Sequence, residues 1–341
     1  GGSQLQYRIN ELPWSEYTEN GLNSIKDYGD VALIVLSRSG GEGADLPSGI
    51  PELSEYLTDG DYLRLCKEEI EMFENLEQLK KDGTFKKIIV LLNSSNALQL
   101  DFVDKYGIDA VLWIGDVGMT GTLGVADILS GSVNPSGRIV DTFMKDNHSA
   151  PAMANFGAYK WTNGADYDTA TAQNNTDPGI TKANSDYVVY QEGIYVGYRY
   201  YETADAEGFF DSAEFKATKF KGNLSSGKYF SDLAANGSYE DQKAKGPQAT
   251  YSGYSEVVQF PFGYGLSYTT FTQTVKSSDV TLKQGGQNTI TVTVTNTGSV
   301  AGKSVVQVYM EAPYNQDSSL GIPGVGLEKA KVVLMGFGKP S

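Results

Sequence analysis

Six apolar residues in succession, Val31-Ala32-Leu33-Ile34-Val35-Leu36, most of them branched, stop abruptly at Ser37-Arg38-Ser39-Gly40-Gly41-Glu42-Gly43-Ala44-Asp45. An unbroken run of this length reads as a strand buried on both faces, which is the habit of a parallel sheet rather than of a solvated antiparallel one. Gly40, Gly41 and Gly43 then open backbone conformations that side chains forbid. Open α/β sheets bind their ligands just beyond the carboxyl ends of strands. A carboxylate set between glycines at that place makes Glu42 the first candidate for chemistry.

The chain on either side alternates as a parallel sheet requires. Pro13 to Tyr28 reads as a short helix opened near Ser15, with Leu22 and Ile25 on its apolar side. From Tyr62 to Lys81, Leu63, Cys66, Ile70, Phe73, Leu76 and Leu79 recur every three or four positions with charged residues between them, the pattern of an amphipathic crossover helix. Strands are predicted at Lys86 to Leu92 and Asp109 to Ile114, with a shorter helical connection near Leu98 to Tyr106. This alternation implies an α/β fold with a mostly parallel sheet and helices on both sides. A second glycine turn, Gly115-Asp116-Val117-Gly118, feeds a helix through Gly124 to Leu129. The stretch Val133 to Phe143 supplies a turn and a further strand.

From about Ser149 to Gln259 periodicity fades and Asn, Asp, Gly, Tyr and Thr dominate, apart from an island at Tyr187 to Tyr201. Segments this long are ordered excursions around a site or decoration covering the sheet. After Tyr268 the texture becomes all-β: Ile290 to Thr295 alternates strictly, Val305 to Tyr309 repeats the pattern, and Asn296-Thr297-Gly298 supplies a turn. This reads as the start of a β-sandwich, which needs about seven strands.

Composition removes several function classes. A formal charge of −15 over 341 residues disfavours nucleic acid or an anionic membrane as partner, because phosphate binding needs clustered Lys and Arg. The 22 tyrosines and 14 phenylalanines supply rings that stack on sugars, fill interfaces or pack loops. One cysteine, Cys66, excludes an internal disulfide and a zinc site of paired cysteines. The lone His148 has no second histidine for a metal site and reads as a surface or capping residue. No cofactor or metal is expected. No stretch approaches ~18 consecutive apolar residues, and no signal-peptide pattern opens the chain. The composition fits a bacterial enzyme, with a lean towards the cell envelope or exterior.

Four segments in order carry a family resemblance. They are Ser37 through Asp45; Asp127-Ile128-Leu129 through Asn134-Pro135-Ser136-Gly137-Arg138; Glu192-Gly193-Ile194-Tyr195-Val196-Gly197-Tyr198-Arg199-Tyr200; and Phe260-Pro261-Phe262-Gly263-Tyr264-Gly265-Leu266-Ser267-Tyr268. Together they closely resemble glycoside hydrolase family 3. The resemblance implies that residues 1–265 belong to the family's α/β sandwich domain and that 266–341 begin its fibronectin type III-like domain. The family's (β/α)8 barrel, which carries the aspartate nucleophile, has no counterpart here, so the chain reads as an internal fragment. In some bacterial members the sandwich and fibronectin-like parts precede the barrel, and the same order is expected of the parent protein.

Retaining hydrolysis of a glycosidic bond needs two carboxyl groups about 5 to 5.5 Å apart, one nucleophile and one acid/base. The acid must stay protonated near neutral pH, through desolvation or the nucleophile's charge. By resemblance to the family's Gly-Glu-Gly motif, Glu42 is the general acid/base, contributed to an active site shared with the barrel. The competing reading pairs Glu42 with Arg38 at the loop base. Arg38 and Asp45 are candidate substrate-binding residues, although Leu46 stands where the motif usually continues with arginine. In the second glycine turn Met119-Thr120 replaces a polar pair found in many relatives, which favours backbone packing there.

Three functions therefore compete. The first is part of a retaining exo-acting β-glycosidase, a β-glucosidase foremost, acting on a β-linked oligosaccharide or glycoside and inactive without the nucleophile. The second is a non-catalytic carbohydrate-binding or scaffolding module. The third is a flavodoxin-like nucleotide binder, disfavoured because neither glycine loop carries a phosphate-binding lysine and Glu42 would repel phosphate.

Overall fold

A computed structural model of the chain describes residues 9, 11–38, 40, 46, 55, 57–154, 159–160, 186–187, 189–190, 192–212, 253–276, 285–311 and 328–340. Glu42, Asp45 and most of the 155–252 excursion lie outside them. Contacts divide the chain into two compact units, Gly1–Gly115 with Phe143–Gln259, and Asp116–Thr142 with Phe260–Ser341.

The first unit opens with a 3-10 turn, Trp14–Glu16, and helix α1, Glu19–Ile25, whose first turn is capped by Thr18 Oγ1 accepting the Gly21 N–H at 3.1 Å. Strand β1, Val31–Arg38, pairs in parallel with β2, Lys87–Ser94, which pairs in parallel with β3, Ala110–Trp113. Helix α2, Lys67–Lys81, makes the first crossover and the four-residue α3, Phe102–Lys105, the second. The strands predicted from sequence are therefore present within two residues at each end.

Burial along β1 alternates. Ala32 and Leu36 are buried, whereas Val31, Leu33 and Val35 are 42%, 46% and 54% exposed. The expectation that both faces of this strand are covered does not hold among the described residues. The topology gives the reason: the strands lie in the order β1-β2-β3, and two crossovers of the same hand that step the same way across a sheet put both helices on one face. The rings agree with that placement, since Phe73 of α2 lies 5.2 Å from Phe102 of α3 and stacks at 5.9 Å on Tyr106. Ile88 and Val90 of β2 and Phe73 are wholly buried, each contributing roughly 1.5–3 kcal/mol.

Helix α2 starts at Lys67, five residues later than its periodicity suggests. Residues 62–66 are turn and irregular backbone instead, and the Glu69 carboxylate accepts the Cys66 N–H at 2.9 Å, closing the helix start. The rest of the first unit contains β4, Phe143–Met144; α5, Pro151–Ala154; the two-residue pair β5, Tyr159–Lys160, with β6, Asp186–Tyr187; and α6, Tyr198–Ala206. Helix α7, Tyr254–Val257, leads into β7, Val258–Phe260, which pairs with β4. Tyr201, Ala204, Phe210, Val257 and Val258 form a second buried cluster.

The second unit holds α4, Thr122–Leu129, and two antiparallel pairs: β8, Phe271–Val275, with β9, Val292–Asn296, and β10, Val306–Met310, with β11, Val333–Gly338. Asn134 ties its two sequence stretches together. Its Nδ2 donates to Ala301 O at 3.0 Å, and its Oδ1 accepts from Ser267 Oγ and the Tyr268 N–H, each at 2.8 Å. Tyr268 in turn donates its hydroxyl to Ile128 O at 2.7 Å. Two of the four family motifs thus meet in space. The strand predicted within 133–143 is reduced to β4 and to two backbone bonds that Ile139 exchanges with Gly263 and Tyr264. Among the described residues no helix is long and apolar enough to cross a membrane.

Candidate active site

The carboxyl ends of β1 and β2 form a polar rim. Asn93 Nδ2 donates to Ser37 Oγ at 3.3 Å, and Ser94 Oγ exchanges hydrogen bonds with the backbone of Asn96, at 3.0 and 3.1 Å. At the end of β3, Trp113 Nε1 donates to Ser94 O at 2.6 Å. Gly40 passes close by: a Cβ there would lie 3.1 Å from Asn96 Nδ2, so the glycine lets the departing loop pass against the second strand end. Sequence reasoning did not single out Asn93 and Asn96. Their only signal was position, an amide at or just past the end of a predicted parallel strand.

Beneath this rim sits a buried ion pair. Arg38 Nη1 and Nη2 donate to Glu69 Oε1 and Oε2 at 2.8 and 2.6 Å, with side chains 0% and 3% exposed. Nη1 also donates to Ser37 O at 2.9 Å, Nη2 to Arg64 O at 2.9 Å and Nε to Tyr62 O at 2.7 Å. All five guanidinium N–H donors are therefore engaged by protein acceptors. Arg38 was a candidate substrate-binding residue on sequence grounds; here its donors fasten the base of the loop to the 62–64 backbone and to α2. Its carboxylate partner is Glu69, an internal residue of an amphipathic helix that nothing in the sequence separates from its acidic neighbours. The flat fork of arginine suits this site because it binds a carboxylate and several carbonyls at once.

His148 is not a surface residue. It belongs to a 3-10 turn, Asn147–Ser149, after β4, and its Nε2 lies 3.1 Å from Oδ2 of the buried Asp61. The second glycine turn, in the other unit, leaves Met119 fully exposed, and the Gly121 N–H donates to Val117 O at 3.0 Å in a local backbone turn. Cys66 is buried, and burial, with the charge of Glu69, pushes its thiol up to about 12, so it is inert as a nucleophile near neutral pH. Among the described residues no cluster of His, Cys, Asp and Glu is arranged to hold a metal ion. Glu42 and Asp45 follow directly from this rim in sequence and lie outside the described residues.

Residues 15–198 match the model of the Glycosyl hydrolase family 3 C-terminal domain. A beta-glucosidase from Ruminococcus albus is 29% identical over 304 residues, covering 89% of this chain and 22% of that protein. Beta-glucosidase A from Butyrivibrio fibrisolvens is 28% identical over 340 residues, covering 90% of this chain and 31% of that protein. The crystal structure of a beta-glucosidase from Paenibacillus barengoltzii superposes with a TM-score of 0.59 at 27% identity, over 98% of this chain and 26% of that one. The chain thus spans between a fifth and a third of the relatives it matches. With a match over more than half its length, a parallel sheet bridged by helices and several small antiparallel sheets, the chain belongs to the Glycosyl hydrolase family 3 C-terminal domain family.

Proposed function

We propose that this chain supplies Glu42 as the general acid/base of a retaining exo-acting β-glycosidase, a β-glucosidase foremost, whose nucleophile comes from a (β/α)8 barrel. One observation carries the reading: in a chain of this family, Gly41-Glu42-Gly43 follows directly from β1 at the carboxyl edge of the parallel sheet. That edge is where an α/β sheet presents groups to a ligand. In this mechanism Glu42 protonates the leaving oxygen as the barrel carboxylate attacks, then takes a proton from the water that releases the sugar. Arg38 acts without touching the sugar, as a positioning residue that fastens the start of the Glu42 loop to α2. Asp45 lies three residues beyond Glu42 and serves as a substrate-side or loop-fixing acid. The substrate class is a β-linked glycoside, in line with the beta-glucosidases from Ruminococcus albus and Butyrivibrio fibrisolvens.

The test is hydrolysis of an aryl β-glucoside by this chain alone, by the barrel alone and by the two mixed, each with and without Glu42→Gln. Activity that arises on mixing and falls with Glu42→Gln is expected. Persistent inactivity of a demonstrated complex would favour a binding or scaffolding role, and rapid turnover by the chain alone would overturn the shared site.

A further inference from the structure

One ionisable contact in the first unit has no part in the proposed mechanism. His148, the chain's one histidine, faces Asp61 at 3.1 Å, with side chains 11% and 1% exposed. The two belong to segments far apart in sequence: Asp61 precedes α2, and His148 lies in the turn after β4. The same segments are joined a second time, since Gln99 donates its backbone N–H to Leu63 O at 2.9 Å and accepts the Asn147 N–H on Oε1 at 3.2 Å. Asp61 also orders its own segment, its Oδ1 accepting the Leu63 N–H at 2.9 Å. Tyr62 and Arg64, whose carbonyls hold Arg38, flank Leu63.

We propose that His148 and Asp61 form a protonation-operated latch on residues 57–66, holding that segment against the 146–149 turn while the imidazole is charged and releasing it when the ring is neutral. A neutral ring keeps at most an ordinary hydrogen bond to Asp61, whereas the charged ring adds an opposite charge in direct contact with a buried carboxylate. Burial pushes the imidazole down, but the hydrogen bond and charge of Asp61 and the charge of Asp146 outweigh it. Arg64 opposes them, and the balance lies above the ordinary 6.5. Asp61, Asp146 and Arg64 are the charged groups that act most strongly on the ring. Asp146 also accepts the His148 backbone N–H at 2.9 Å, which fixes the turn. A raised imidazole value makes the latch complete below pH ~6.5 and lost as pH rises through the folded-state value. The inference concerns residues 57–66 alone and stands apart from the role given to Glu42.

A single histidine makes the test direct, because its ring signals need no assignment. The full chain is titrated from pH 5 to 9 by imidazole NMR, with amide hydrogen exchange at 57–66 followed in parallel. The expected result is a midpoint above 6.5 that drops by about one unit or more in Asp61→Asn. Exchange at 62–65 should rise about tenfold across that midpoint beyond its intrinsic base dependence, and His148→Gln should lack this step. A ring neutral from pH 5 upward as the Nε2–H tautomer would overturn the latch. So would a midpoint indifferent to Asp61→Asn, or exchange without a step. Should Asp61→Asn fail to fold, the wild-type midpoint together with the exchange step decides.

Discussion

Removing Glu69 should destabilise this chain far more than removing any other carboxylate of α2. The Glu69→Ala substitution takes both carboxylate oxygens from Arg38, leaving two donors of a guanidinium with a wholly buried side chain unbonded. Breaking one half of a buried pair costs about 3–5 kcal/mol. The same carboxylate accepts the Cys66 N–H at the start of α2, and loss of such a cap adds about 1 kcal/mol. The total, ~4–6 kcal/mol, rivals the ~5–15 kcal/mol that holds a typical domain together. Urea unfolding followed by tryptophan fluorescence, to which Trp113 contributes with its indole bonded to Ser94 of the neighbouring strand, reads the affected unit. With a slope of about 3 kcal/mol per molar the midpoint should fall by roughly 1.3–2 M. The double variant Arg38→Met/Glu69→Met should lose less than Glu69→Ala alone, because no unpaired charge remains. It should still fall short of wild type, since the Tyr62 and Arg64 carbonyls lose their donor. A Glu69→Ala midpoint within ~0.3 M of wild type would mean that this pair behaves like a solvated one and would rule out a buried, mutually dependent pair.

Two further outcomes follow from the same unit. Phe73→Ala empties a wholly buried site against Phe102 and Tyr106 and should cost about 3–5 kcal/mol in the same urea assay. Burial raises the Asp109 carboxyl, but Lys80, Lys87 and the Ile88 N–H outweigh it and hold the group down at about 2. Its contribution is therefore present above pH ~3.9 and lost as pH falls through about 2. Asp109→Asn should flatten that acid limb and lower stability near pH 7 by on the order of 1 kcal/mol, read from urea midpoints at successive pH values.

The strands and the crossover helix could be read from the chain because burial marks their composition: β1 as a branched apolar run, α2 as a three-four stripe that buries Phe73 and Leu76. What escaped the sequence depends on partners distant along it. The late start of α2 is set by Arg38 drawing the Tyr62 and Arg64 carbonyls and by Glu69 capping Cys66. The exposed side of β1 follows from strand order, which hydropathy does not encode. His148 stands in a polar turn, and only its meeting with Asp61, 87 residues away, makes it a buried residue. The proposal for Glu42 rests on the opposite kind of signal, a local one: glycines placed just after a strand.

The proposed role of Glu42 as proton donor is decided by leaving-group dependence. In the proposed complex of this chain with a barrel, kcat/KM is measured for an activated dinitrophenyl β-glucoside and for an alkyl β-glucoside, with wild type and Glu42→Gln. An acid is needed only where the leaving oxygen is basic, so the alkyl substrate should lose about 10²- to 10⁴-fold while the activated one keeps most of its kcat/KM. Equal loss on both substrates would contradict the assignment of Glu42 as the acid.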